Sequence, residues 1–89
     1  MTEQQVIQWT NEVFEQAFEI ERSMLTADAH IFEDLGLDSL DIVDLVVALQ
    51  DRFGIRIRED ERIRTVETLG DLYAYIVMVG QEAALGGEG

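Results

Sequence analysis

The run from residue 39 to 53, SLDIVDLVVALQDRF, holds nine apolar residues in fifteen and contains neither glycine nor proline. It has no useful period-two alternation, so it reads as a helix. Placed at about 100° per residue, its apolar side chains divide into two groups. Ile42, Leu45, Val46, Leu49 and Phe53 form one stripe. Leu40, Val43 and Val47 fall on roughly the opposite side, with Asp44 and Asp51 among them and Asp41 on the flank. A helix with two apolar faces is either buried on both sides or has one face for the core and one for a partner. A chain of 89 residues has little else with which to cover both. The second reading is therefore preferred: apolar contact at the centre of the outward face, and acids at its rim to steer a basic partner.

The flanking residues frame this helix. Asp38 is a good N-cap, Asp41 a favourable first-turn charge, and Gly54 a natural stop. An earlier helix begins in TEQQ, with Thr2 and Gln5 spaced as a capping box. Val6, Val13, Phe14, Ala17 and Phe18 mark its expected buried stripe, with Trp9 near the edge. Residues 20–37 keep no period. A loop this long must be packed down or functional, and Met24, Leu25, Ile31, Phe32 and Leu35 are the candidates for tacking it to the core. Beyond Gly54, GIRI reads as a short extended piece or a turn, and REDERIR as a short third helix with Ile63 inward. Thr68 caps a fourth helix with Asp71 three residues on. Leu69, Leu72, Tyr73, Ile76 and Val79 face inward, Gly80 ends the helix, and residues 81–89 form a flexible tail. The expectation is an all-α four-helix bundle over residues 1–80, with a long loop after the first helix and a short third helix.

Charge narrows the function. Nineteen acids face six arginines and no lysine, a net charge of −13. Residues 1–51 carry twelve acids and only Arg22, whereas residues 52–64 carry five arginines against three acids. Such a chain repels nucleic acid and anionic lipid and attracts basic surfaces. There is no cysteine, hence no disulfide and no protein thiol. No apolar run approaches the ~20 residues of a membrane span. The N-terminus has no basic region or apolar signal core, so the cytoplasm is the expected location.

Ser39 stands at the start of the two-faced helix. It has two readings. It is either an N-cap, since serine is a preferred type there, or a group held outward where the free N–H groups and positive dipole end favour a phosphate. Enzyme chemistry lacks support. The only histidine, His30, lies nine residues earlier, and no G-x-S-x-G elbow underlies the serine. Asp34, Asp38, Asp41 and Asp44 miss the spacing of a calcium loop, so no catalytic residue and no metal is assigned.

The stretch FEDLGLDSLDIVDLVVALQDRFGI resembles the attachment region of acyl carrier proteins: D-S-L after an L-G turn, an acidic-apolar helix, and a closing F-G. The likeness runs from AHIFEDLG to TLGDLYAYI and extends weakly into the first helix. The family fold is a four-helix bundle. The resemblance implies that a phosphopantetheinyl transferase moves 4′-phosphopantetheine from coenzyme A onto Ser39, beside Asp38. The arm supplies the thiol that the composition lacks and holds acyl groups as thioesters. The protein is then no enzyme. It presents cargo to acyl-loading, condensing and acyl-transferring enzymes of fatty acid, polyketide or related acyl-lipid synthesis, and is expected to act as a monomer. By the same resemblance, Leu40, Asp41, Val43, Asp44, Val47 and Asp51 map onto positions that meet partners with basic docking patches. An aminoacyl carrier and an acidic adaptor without cargo exchange are the alternatives. Gln50 stands where the family often has glutamate, Arg52 follows it, Arg58 replaces a common proline, and the segment after it is arginine-rich. These departures suggest a specialised member.

Overall fold

The computed structural model describes residues 2–57 and 65–86, the last four as backbone. Their order is α1 (Glu3–Phe18), a 3₁₀ turn (Arg22–Met24), α2 (Ser39–Phe53) and α3 (Leu69–Gly86). α1 packs against both α2 and α3, giving an all-helical bundle. The short helix expected in REDERIR, residues 58–64, with Ile63 inward, falls outside the described residues, so three α-helices are counted among those that are described.

α1 starts at the expected capping box. Thr2 Oγ1 accepts from the Gln5 N–H, and Gln5 Oε1 accepts from the Thr2 N–H. Its buried face is Val6, Thr10, Val13 and Phe14. Ala17 is exposed and Phe18 only half-buried, so the inward stripe stops one turn earlier than its periodicity suggested. Thr10 is the residue the apolar pattern misses. It lies on the face between Val6 and Phe14 and is fully buried, and its Oγ1 has no hydrogen-bond partner among the described residues.

The loop is packed down, although by a partly different set of residues. Leu25, Ile31 and Leu35 are buried as expected, and Ala29 and Leu37 join them. Met24 and Phe32 remain substantially exposed, and these two expectations are corrected. The loop is fixed by backbone bonds as well as by apolar contact. Ile31 N–H donates to the Glu67 carbonyl at 2.8 Å, Leu69 N–H to Ala29 at 3.0 Å, and Gly70 N–H to Ala27 at 2.7 Å. Glycine eases this approach: a Cβ at residue 70 would lie 3.0 Å from the Ala27 carbonyl oxygen, a tight contact. The loop is thereby tied to the start of α3.

α3 is capped by Thr68 and Asp71, as its sequence spacing predicts. The Asp71 carboxylate accepts from the Glu67 and Thr68 N–H groups, which hold its pKa below the ordinary carboxylate value. Leu69, Leu72, Tyr73, Ile76 and Val79 are all buried, together with Tyr75. The Tyr73 hydroxyl donates to Asn11 and joins α3 to α1. Burial raises the Tyr73 pKa, and the bond to Asn11 partly offsets the rise. Gly80 does not end the helix, which continues to Gly86. One interior glycine costs a helix only about 1 kcal/mol, and the QEAAL that follows is rich in good helix formers. The boundary of the expected tail at residue 81 is corrected accordingly.

Candidate functional site

α2 begins at Asp38. That residue is extended (φ −117°, ψ −174°), and its side chain accepts from the Asp41 N–H at 2.9 Å. Asp41 returns the bond by accepting from the Asp38 N–H at 3.1 Å. This reciprocal box settles the first of the two readings of Ser39: Asp38 caps the helix, and Ser39 is its first residue. The Ser39 side chain is exposed. Among the hydrogen bonds of the described residues, none engages its hydroxyl. It therefore stands free at the positive end of a fifteen-residue helix.

The two faces of α2 are as unlike as the helical projection requires. Leu45 and Leu49 are 3 % and 1 % exposed, with Phe53 buried beside them. Ile42 and Val46, expected in the same stripe, are half-buried at its edges. On the other side, Leu40 is 76 % exposed, Val43 56 % and Val47 59 %. Asp44 and Asp51 are exposed on this face, and Asp41 is half-buried on the flank. The eight residues singled out in the sequence, from Asp38 to Asp51, thus lie along one helix, with the free hydroxyl at one end of the apolar strip. Such an arrangement can bear a covalent group on a phosphate and offer a contact surface directly behind it. Among the described residues no base engages Ser39, and no cluster of three or more metal-binding side chains occurs.

The family described as "Phosphopantetheine attachment site" matches residues 8–76. The chain is 40 % identical over 72 residues to acyl carrier protein 2 of Ralstonia nicotianae, covering 81 % of this chain and 88 % of that one. It is 37 % identical over 76 residues to the acyl carrier protein of Exiguobacterium sibiricum, covering 85 % and 95 %. The solved acyl carrier protein of Enterococcus faecalis superposes with a TM-score of 0.70 at 33 % identity, over 89 % of this chain and 99 % of that one. The chain belongs to the acyl carrier protein family. Its cofactor is accordingly covalent 4′-phosphopantetheine, and its function is to carry acyl groups; it has no catalytic activity of its own. An exposed, unengaged hydroxyl at a helix N-terminus fits that group, because phosphate is favoured there.

Within this carrier, two departures from the family pattern have local structural roles. The Arg52 guanidinium donates to Glu12 Oε1 at 2.9 Å and lies 4.2 Å above the Trp9 ring. Trp9 in turn contacts the Phe53 ring at 5.3 Å. Arg52 therefore ties α2 to α1 rather than facing a partner as a free cation, and its hydrogen bond lowers the Glu12 pKa. Gln50 Oε1 accepts the Ile57 N–H at 2.8 Å and pins the chain that leaves α2. Spacing alone could not reveal either role, since each depends on an element distant in sequence or on a turn. The arginine-rich segment from 58 to 64 lies outside the described residues. No helix among the described residues is long and apolar enough to cross a membrane.

Proposed function

We propose that this chain is a discrete acyl carrier whose Ser39 hydroxyl takes the arm from a phosphopantetheinyl transferase, and whose outward α2 face docks the enzymes that load, extend and remove the cargo. The arm supplies a thiol on which acyl groups ride as thioesters. Asp38 fixes the start of α2 through its bond to the Asp41 N–H, and so holds Ser39 at the helix end with its hydroxyl outward. Leu40, Val43 and Val47 offer the partner an apolar strip that the bundle leaves uncovered. Asp41, Asp44 and Asp51 border the strip and steer a basic partner surface toward it. The chain acts as a monomer beside those enzymes in the cytoplasm. The observation that carries the reading is the free Ser39 hydroxyl next to an exposed apolar strip on a helix whose opposite face is core.

The test uses coenzyme A and a broad-specificity transferase, with the intact mass as readout. The chain has two serines, Ser23 and Ser39. Wild type and Ser23→Ala should each gain one arm, and Ser39→Ala should gain none. Modification of Ser39→Ala, or failure of wild type with several active transferases, would overturn the proposal; the second outcome would favour an adaptor without cargo.

A further inference from the structure

Each of the three described α-helices begins with a reciprocal cap: Thr2 with Gln5, Asp38 with Asp41, and Thr68 with Asp71. The loop before α2 contains a fourth cap of similar design, built on an imidazole. His30 Nδ1 accepts from the backbone N–H of Phe32 at 3.3 Å and of Glu33 at 3.2 Å. In return, the Asp34 carboxylate accepts from the His30 N–H at 2.7 Å. The His30 carbonyl accepts from Asp34 and Leu35, and the turn passes on through Gly36 to Leu37. Ile31, Leu35 and Leu37 are buried beneath it, and Asp38 and Ser39 follow at once. The cap therefore holds the segment that fixes where α2 begins.

Hydroxyl, amide and carboxylate caps keep their acceptors across the neutral range. An imidazole nitrogen accepts only while it carries no proton, and imidazoles change charge between about pH 5 and 8. The bonds to Phe32 and Glu33 require the ring proton to be on Nε2, which faces Glu33 Oε2 at 3.8 Å. A proton on Nδ1 would turn that acceptor into a donor aimed at two other donors. We propose that His30 is a pH-sensitive cap: proton uptake at Nδ1 releases the 31–35 turn and loosens the segment that positions Ser39, while the bundle stays folded.

The titratable groups on the elements that meet His30 are Glu33 and Asp34 on the turn, Asp28 before it, Asp38 at α2, and Glu67 and Asp71 at the start of α3. All are acids, so a charged ring would find counter-charges nearby. Glu33 is the one in ion-pair range, and its side chain is 80 % exposed. An exposed pair contributes little. Against it stands the loss of both backbone acceptor contacts, and the turn gives way.

The full chain, labelled with ¹⁵N, is followed from pH 7.5 to 5. The imidazole nitrogens should report the Nε2–H tautomer at the upper pH. As the ring takes up its proton, amide exchange at Phe32 and Glu33, corrected for the intrinsic pH dependence, should rise on the order of tenfold. Exchange at Phe14 and Ile76 should not rise with it. His30→Asn keeps an acceptor that does not titrate, and its exchange should stay flat. The rate of arm transfer, taken as the ratio of wild type to His30→Asn, should fall toward pH 5, because the enzyme's own pH profile cancels. That ratio rests on Ser39 as the attachment point whereas the exchange data do not, so the two ideas fail separately. An Nδ1–H tautomer, flat exchange at Phe32 and Glu33, the same rise in His30→Asn, or a matching rise at Phe14 and Ile76 would each overturn the proposal.

Discussion

The inward and outward faces of α2 share one stretch of sequence and are both apolar, yet they serve opposite ends. Leu45 and Leu49 are sealed into the core, while Leu40, Val43 and Val47 keep more than half of their surface in water. Hydrophobic type alone does not distinguish them. What differs is whether a chain of this size has a third layer to lay over the helix, and among the described residues α1 packs on one side and nothing covers the other. Leaving more than half of three apolar side chains in water gives up a large part of the stabilisation, about 1.5–3 kcal/mol, that full burial of each would contribute. A small domain has little such stability to spare, so an uncovered strip of this kind is understood more readily as an interface than as a defect.

The largest effect should come from the inward face. Leu49→Ala should cost about 2–5 kcal/mol, since it opens a cavity in a fully packed site. Val47→Ala, two residues away, should leave the thermal midpoint nearly unchanged and slow arm transfer instead. If Val47→Ala unfolds the chain as badly as Leu49→Ala, the distinction between the faces is lost. Next in size is charge reversal at Asp44. Asp44→Arg should weaken transferase contact at low salt, and the penalty should fade near 1 M, where the Debye length is about 3 Å. The apolar contribution of Leu40 and Val47 should persist there. A penalty at Asp44 that is indifferent to salt would mean that its role is not steering. The smallest effect concerns the cap that joins the faces to the site. Asp38→Ala should cost about 1 kcal/mol in a denaturant titration and slow modification of Ser39, while the fold survives. Outright melting would make Asp38 structural first.

The same comparison shows what the sequence can reveal. α2 was legible in full, from its aspartate cap to its glycine stop, because its pattern is local: period, cap chemistry and the split of apolar positions all lie within seventeen residues. The placement of Ser39 at the helix start and of Leu40, Val43 and Val47 on the outward face was legible for the same reason. The loop was not. Leu37 and Ala29 are buried and Phe32 is not, and that choice is made by the backbone bridge to Glu67 and Thr68 in the junction before α3, which no local pattern encodes. Arg52 was grouped by its sequence with the mixed-charge, arginine-rich stretch 52–64, and its actual partners, Glu12 and Trp9, lie some forty residues away. Gly80 looked like a stop because glycine often is one, but the helix formers after it carry α3 on to Gly86. Thr10 is a polar side chain that helical geometry placed in the core despite its type.

The most direct test of the carrier account is to recover the chain from the cells that make it, digest it, and locate the arm by fragment masses. The account predicts 4′-phosphopantetheine on the peptide containing Ser39, with an acyl group on its thiol in part of the population, and Ser23 unmodified. An unmodified Ser39, or an arm found on Ser23, would contradict it.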